Sequence, residues 1–192
     1  ELSFDEVFMD STGNAVGRIG NGPRKILFDS HMDTVEVNDE QDWDLLPFSG
    51  EIKDGRLYGR GSVDMKSGLA ASVFAAVAAR ELGYLSGKAV YVTTTVCEEY
   101  CDGENLKMLF REHPINPDCV VICEPSDNLV TLGHKGKAQM RIRTHGVSAH
   151  GSAPEKGVNA VYEMAEIISR VERLNHRLSA KGTPHGTVVL SE

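Results

Sequence analysis

The stretch KAVYVTTTVCEE, Lys88 to Glu99, decides the fold. Its β-branched run, Lys88 to Val96, reads as a strand, and the strand stops on two adjacent glutamates. Upstream, Asp64 to Leu82 is dense in Ala, Leu and Val and reads as a helix with Gly83 at its stop. That helix is apolar nearly all round, so it is expected to be well buried. Before it, Lys25 to Asp29 (KILFD) is an apolar strand leading into Ser30-His31-Met32-Asp33. Downstream, Glu104 to Glu112 is a short helix, and Pro117 to Cys123 (PDCVVIC) is a buried strand ending in Glu124. Strand, helix, strand, helix, strand is the α/β signature: a mainly parallel sheet with covering helices.

The flanks read differently. Phe4 to Met9 and Ala15 to Ile19 form a hairpin across the turn Asp10-Ser-Thr-Gly-Asn14. Gly55 to Gly61 (GRLYGRG) is another short strand with a glycine turn. Beyond Glu124 the pattern changes. Lys137 to Arg143 (KAQMRIR) alternates polar and apolar, as a half-solvated antiparallel strand would. Val158 to Leu178 is an amphipathic helix, and Thr187 to Leu190 starts a further strand. A domain boundary is placed near Gly133 to Gly136, giving domains 1–135 and 136–192.

Composition narrows the function classes. The formal net charge is -8, with acidic residues scattered, which argues against a nucleic-acid partner. No uninterrupted apolar run approaches ~20 residues, so no membrane span is expected. No signal peptide is expected before the first strand. The four cysteines, Cys97, Cys101, Cys119 and Cys123, form two C-x-x-x-C pairs. Three of them lie in or beside apolar strand-like runs, which favours packed, reduced thiols and a cytoplasmic protein. The alternative is a cysteine-based zinc or redox site.

Polar clusters recur at strand ends. KILFD runs into His31 and Asp33, the Gly55–Gly61 strand into Asp64, the Lys88 strand into Glu98 and Glu99, and the Pro117 strand into Glu124. Ligands bind outside the carboxyl ends of parallel strands, so these groups are expected to converge. Bare carboxylates so gathered repel one another, and some must protonate. A pair of divalent cations resolves the conflict, and zinc accepts both His nitrogen and carboxylate oxygen. Singly, each residue has a plainer reading: a loop histidine, a solvated Glu-Glu turn, or a helix cap at Asp64.

The ordered stretches S-H-M-D-T-V, G-R-G-S-V-D-M-K-S-G, E-E, C-E-P-S and G-V-S-A-H-G-S-A-P-E-K-G-V-N-A carry a resemblance over essentially the whole chain. It resembles the co-catalytic zinc amidohydrolases of metallopeptidase family 20. That group includes acetylornithine deacetylase, succinyl-diaminopimelate desuccinylase, aminoacylase and glutamate carboxypeptidase. The forms E-E-Y-C-D-G and H-G-S-A-P-E-K-G look closest to a selenium-metabolism-linked hydrolase branch.

The resemblance implies a dinuclear zinc hydrolase of amide bonds in small N-acyl amino acids or short peptides, with cobalt or manganese also suited to the ligands. It implies that His31, Asp64, Glu99 and Glu124 ligate two zinc ions, Asp64 bridging them. Asp33 would orient the His31 ring, and Glu98 would be the general base. His150 would stabilise the oxyanion, reaching into the partner subunit of a homodimer formed through a lid domain. Asn159 would approach substrate, while Arg60 and Lys66 would hold the loops around Asp64. His113, His134, His145, His176 and His185 have no motif support. Family members start with a helix before the first strand and continue well past residue 192, where a second histidine ligand follows. The resemblance therefore implies a chain partial at both ends: part of a catalytic domain and part of an α+β lid. The rival class is a non-catalytic binding module that keeps the fold, against which His31, Asp33 and Glu98 speak.

Overall fold

The computed structural model of the chain describes residues 2–180. The expected strand at Thr187 to Leu190 and His185 lie outside the described residues. The chain divides into two compact units, the first through Val130 and the second from Thr131.

The first unit is α/β. Its strands are β1 (Glu6–Met9), β2 (Ala15–Gly20), β3 (Arg24–His31), β4 (Ile52–Lys53), β5 (Arg56–Leu57), β6 (Lys88–Thr95) and β7 (Cys119–Ile122). Its α-helices are α1 (Ser67–Glu81), the single turn α2 (Glu98–Cys101) and α3 (Glu104–Glu112). Five strands form one sheet in the order β1-β2-β6-β3-β7, while β4 and β5 make a separate small hairpin. Strands β6, β3 and β7 run parallel; β1 and β2 add an antiparallel hairpin.

Alternation along the strands builds a core on each face. Ile19, Val90 and Val92 meet Ala76 and Val77 of α1 on one side. Val16 meets Leu109 of α3 and Ile115 on the other. Each of the Val, Leu and Ile side chains contributes about 1.5–3 kcal/mol when fully buried. The register puts His31 opposite Thr95 and Asp29 opposite Ile122, so the parallel strands end at one edge of the sheet.

Several expectations are corrected. Helix α1 begins at Ser67, not Asp64, because Ser62–Lys66 forms a π-helical turn with non-helical backbone at Asp64 and Met65. Only one stripe of α1 is buried, Ser72, Ala76 and Val77, because just one face meets the sheet, and Phe74 is exposed. The stretch Ser62–Glu81 is long and apolar enough to cross a membrane by length and composition, a match that Ser, Gly and Lys hid from a search for an unbroken apolar run. Strand β7 is exposed throughout rather than buried, because it is the sheet's edge strand. Lys137 to Arg143 forms no strand. Alternation needs a neighbour to become a strand, and Met140 and Ile142 are exposed.

The second unit carries a 3-10 turn, Pro154–Lys156, and α4 (Ala160–Ser179). An isolated bridge pairs Val147 with Val158 and closes the loop between them. Gly146 permits this, since a Cβ there would sit 2.5 Å from the Val158 carbonyl oxygen.

Candidate metal centre

Three parallel strands deliver the site. His31 is the last residue of β3, and its side chain is 1% exposed. Its Nε2 lies 3.0 Å from Asp64 Oδ1, 3.5 Å from Glu124 Oε1 and 3.9 Å from Glu98 Oε2. One ligand atom from each of His31, Asp64 and Glu124 falls within 4.8 Å of the other two. An imidazole nitrogen and carboxylate oxygens so gathered are the donor set of zinc and its first-row neighbours. The residues therefore fit a divalent metal.

Each ligand is set by local backbone. Asp64 lies in the irregular turn before α1, reached through Gly61 at φ +82. Lys66 Nζ donates to the Met32 main-chain oxygen, which ties that turn to the end of β3. The His31 N–H points at Met65 Sδ, 3.3 Å away. Gly68 lets α1 press on the end of β7, since a Cβ there would stand 2.3 Å from the Cys123 carbonyl oxygen. Glu124 follows directly. Arg60 stacks over Trp43 at 5.2 Å, and its N–H donates to the Pro47 carbonyl at 2.7 Å.

Glu98 and Glu99 escape the alternation of a strand. Cys97 takes a left-handed conformation, φ 62, and turns β6 into α2. The Asp33 carboxylate caps that turn, accepting the Glu98 N–H at 3.1 Å and the Glu99 N–H at 3.2 Å. The His31 ring meets Asp33 differently from the expectation. Its Nδ1 is 3.0 Å from the Asp33 main-chain oxygen and 3.4 Å from Oδ1. The main-chain oxygen thus fixes the ring's tautomer, leaving Nε2 for a metal. Glu99 stands outside the group of three that gathers within 4.8 Å, although its charge acts on both Glu98 and Glu124.

The electrostatics follow. Burial opposes a charge on His31. The hydrogen bond to Asp64, then the charges of Glu124, Glu98 and Asp33, outweigh it and raise the imidazole pKa. Burial, the largest cause, raises Glu98; His31 opposes it, and Glu99, Asp102 and Asp33 add to it. Glu124 is raised by burial, then by Asp64, again against His31. Without metal, protonation at this site is favoured because it offsets the burial and mutual repulsion of the carboxylates.

His150 belongs to the second unit and is exposed. Its Nδ1 lies 2.8 Å from Ser152 Oγ and 3.2 Å from the Ser152 main-chain nitrogen. Asn159 is exposed and caps α4, its Oδ1 accepting the Val161 N–H at 2.9 Å. His113 packs on Phe8, ring centroids 4.5 Å apart. All four cysteines are free, with Cys97 and Cys101 sulfurs 3.1 Å apart. Sequence reasoning passed over Met65, Asn14 and Asn105. The last two sit in a polar turn and a short helix, where asparagine usually signals nothing more.

Residues 27–187 match the profile of peptidase family M20/M25/M40. The chain is 38% identical over 193 residues to the uncharacterized protein YgeY of Escherichia coli, covering 100% of this chain and 48% of that one. It is 32% identical to a probable succinyl-diaminopimelate desuccinylase of Staphylococcus epidermidis, covering 85% of this chain and 40% of that protein. The chain thus spans about half the length of the curated relatives it matches, or less. Among solved structures, aminopeptidase PepT of Bacillus cereus superposes with a TM-score of 0.50 at 28% identity, over 85% of this chain and 46% of PepT. With its family profile spanning most of the sequence, the chain belongs to peptidase family M20/M25/M40.

Proposed function

We propose that the protein is a metal-dependent hydrolase that cleaves amide bonds in small N-acyl amino acids or short peptides, using two zinc ions. The observation that carries this reading is His31 Nε2 facing Asp64, Glu124 and Glu98 within 3.9 Å, where the parallel strands β3, β6 and β7 end and the turn before α1 brings in Asp64. His31, Asp64, Glu99 and Glu124 would hold the metals, with Asp64 shared between them. The chemistry that bound divalent ions supply is Lewis acidity toward a carbonyl and toward water. The desuccinylase and aminopeptidase names among the relatives support amide chemistry on small substrates.

The chain's own residues then divide the work. Glu98, with its pKa raised by burial, takes a proton from the attacking water and delivers it to the leaving amine. The Asp33 carboxylate holds the turn that presents Glu98. His150 offers a ring N–H as a donor to the developing oxyanion, and homodimerisation through the second unit would bring it to a partner's site. The test is the full chain, loaded with zinc, cobalt or manganese, against a panel of N-acyl amino acids and dipeptides. Metal-dependent release of free amine is expected. A protein that binds the metals yet turns over none of the panel would favour the binding-module reading.

A further inference from the structure

The chain just before Glu98 is gripped by side chains rather than by the sheet. The β2–β6 ladder pairs Ala15 with Thr94, and Val96 lies beyond it. Asn14 Oδ1 accepts the Val96 N–H at 2.9 Å, across 82 positions of sequence. From the other side, Asn105 Nδ2 of α3 donates to the Val96 carbonyl oxygen. Both peptide groups of Val96 are therefore held by buried amides from two different elements. The next residue is left-handed Cys97, and then come Glu98 and Glu99, whose N–H groups Asp33 holds.

The main chain of the turn that carries Asn14 has its own acceptor. This is Asp10 Oδ1, accepting the N–H groups of Thr12, Gly13 and Asn14 at 2.9 Å each. Asn14 Nδ2 donates to Asp10 Oδ2 at 2.7 Å, to Thr12 Oγ1 at 2.8 Å and to the Asn105 main-chain oxygen at 3.2 Å. These bonds fix its amide orientation and aim Oδ1 at Val96. Asn14 is 0% exposed, Asn105 6% and Asp10 7%. A fully enclosed amide costs free energy unless its bonds are made, and its loss strands every partner.

Building on the metal-hydrolase reading, we infer that Asn14 and Asn105 are positioning residues that set Glu98 and Glu99 through the Val96 peptide. The hairpin and α3 thereby form a supporting shell behind the metal centre. Losing such support typically costs about 10–100-fold in metal affinity or activity.

The experiment compares the full chain with Asn14→Ala, Asn105→Ala and Ser11→Ala. Zinc affinity is read by competition with a chromophoric chelator, beside kcat, KM and thermal midpoint. Asn14→Ala and Asn105→Ala are each expected to lose about 10–100-fold in zinc affinity and in kcat, with KM little moved. Ser11→Ala loosens the same turn by removing its side-chain bond to Glu112, and it spares every bond that orients Asn14. It should lower the thermal midpoint and keep parental zinc affinity. A folded Asn14→Ala with parental zinc affinity and kcat overturns the inference, since Asn14 then only steadies the hairpin. Should Asn14→Ala fail to fold, parental values in Asn105→Ala overturn it equally. Absence of zinc binding by the parent would sink the metal-centre reading itself.

Discussion

Two chemically identical neighbours, Glu98 and Glu99, are assigned different work. Glu98 stands 3.9 Å from His31 Nε2 and is raised in pKa chiefly by burial, as suits a group that must pick up and release a proton. Replacing it with glutamine keeps shape and hydrogen bonding while removing that function. Glu98→Gln is expected to lower kcat by about 10²–10⁴ while leaving metal content nearly intact. Loss of metal in that variant would make Glu98 a ligand instead. Glu99→Ala should do the reverse, with metal content falling first. His150→Ala should lower kcat far more than it weakens substrate binding, because an oxyanion donor acts on the transition state. An equal rise in KM with unchanged kcat would assign His150 to ground-state binding. These roles come from the ordered motifs. Distances alone separate His31, Asp64 and Glu124 from the rest, and they bring Glu98, 3.9 Å from His31 Nε2, nearer to that ring than Glu99.

At the scale of elements, the sequence was most readable where patterning and topology agree. The β-branched run at Lys88 and the helix from Glu104 to Glu112 stand where the residues place them. Strand ends were legible as a site because parallel strands must finish at a common edge. What the residues concealed was tertiary. The π-helical turn around Asp64 exists because Gly61 and Lys66 tie the chain to the loop after His31, and no local propensity announces it. The two asparagines that hold Val96 are silent in sequence for the same reason, their meaning lying 82 and 9 positions away. Gly68 is readable only once α1 is docked. A methyl there meets the Cys123 carbonyl oxygen at 2.3 Å, so either the helix start or the Glu124 segment must move. Gly68→Ala is expected to cost about 1–3 kcal/mol in denaturant unfolding and to weaken metal binding, whereas Gly83→Ala costs stability through its φ of +75 alone. Equal metal affinity in the two variants would show that the α1–β7 contact does not set the site.

For the whole molecule, the centre couples metal, protons and stability. His31, Glu98 and Glu124 all have raised pKa values in the folded, metal-free chain. A raised folded value means that the folded state binds the proton more tightly than the unfolded one. The resulting stabilisation is complete below the ordinary values, about 4.3 for the carboxyls and about 6.5 for the imidazole, and is lost as pH rises through the raised ones. Metal-free protein is therefore expected to lose stability to urea as pH rises past the ordinary carboxyl and imidazole values, and Glu124→Gln should flatten that slope. Zinc must displace the same protons, so its affinity rises over the same window. At a free concentration 100 times its Kd it should add about 2.7 kcal/mol. Urea curves with and without zinc, taken at both ends of the window, test the coupling. Metal-free stability that holds flat or climbs with pH would mean that the gathered carboxylates are not in conflict, and the case for cations at this edge of the sheet would lose its physical basis.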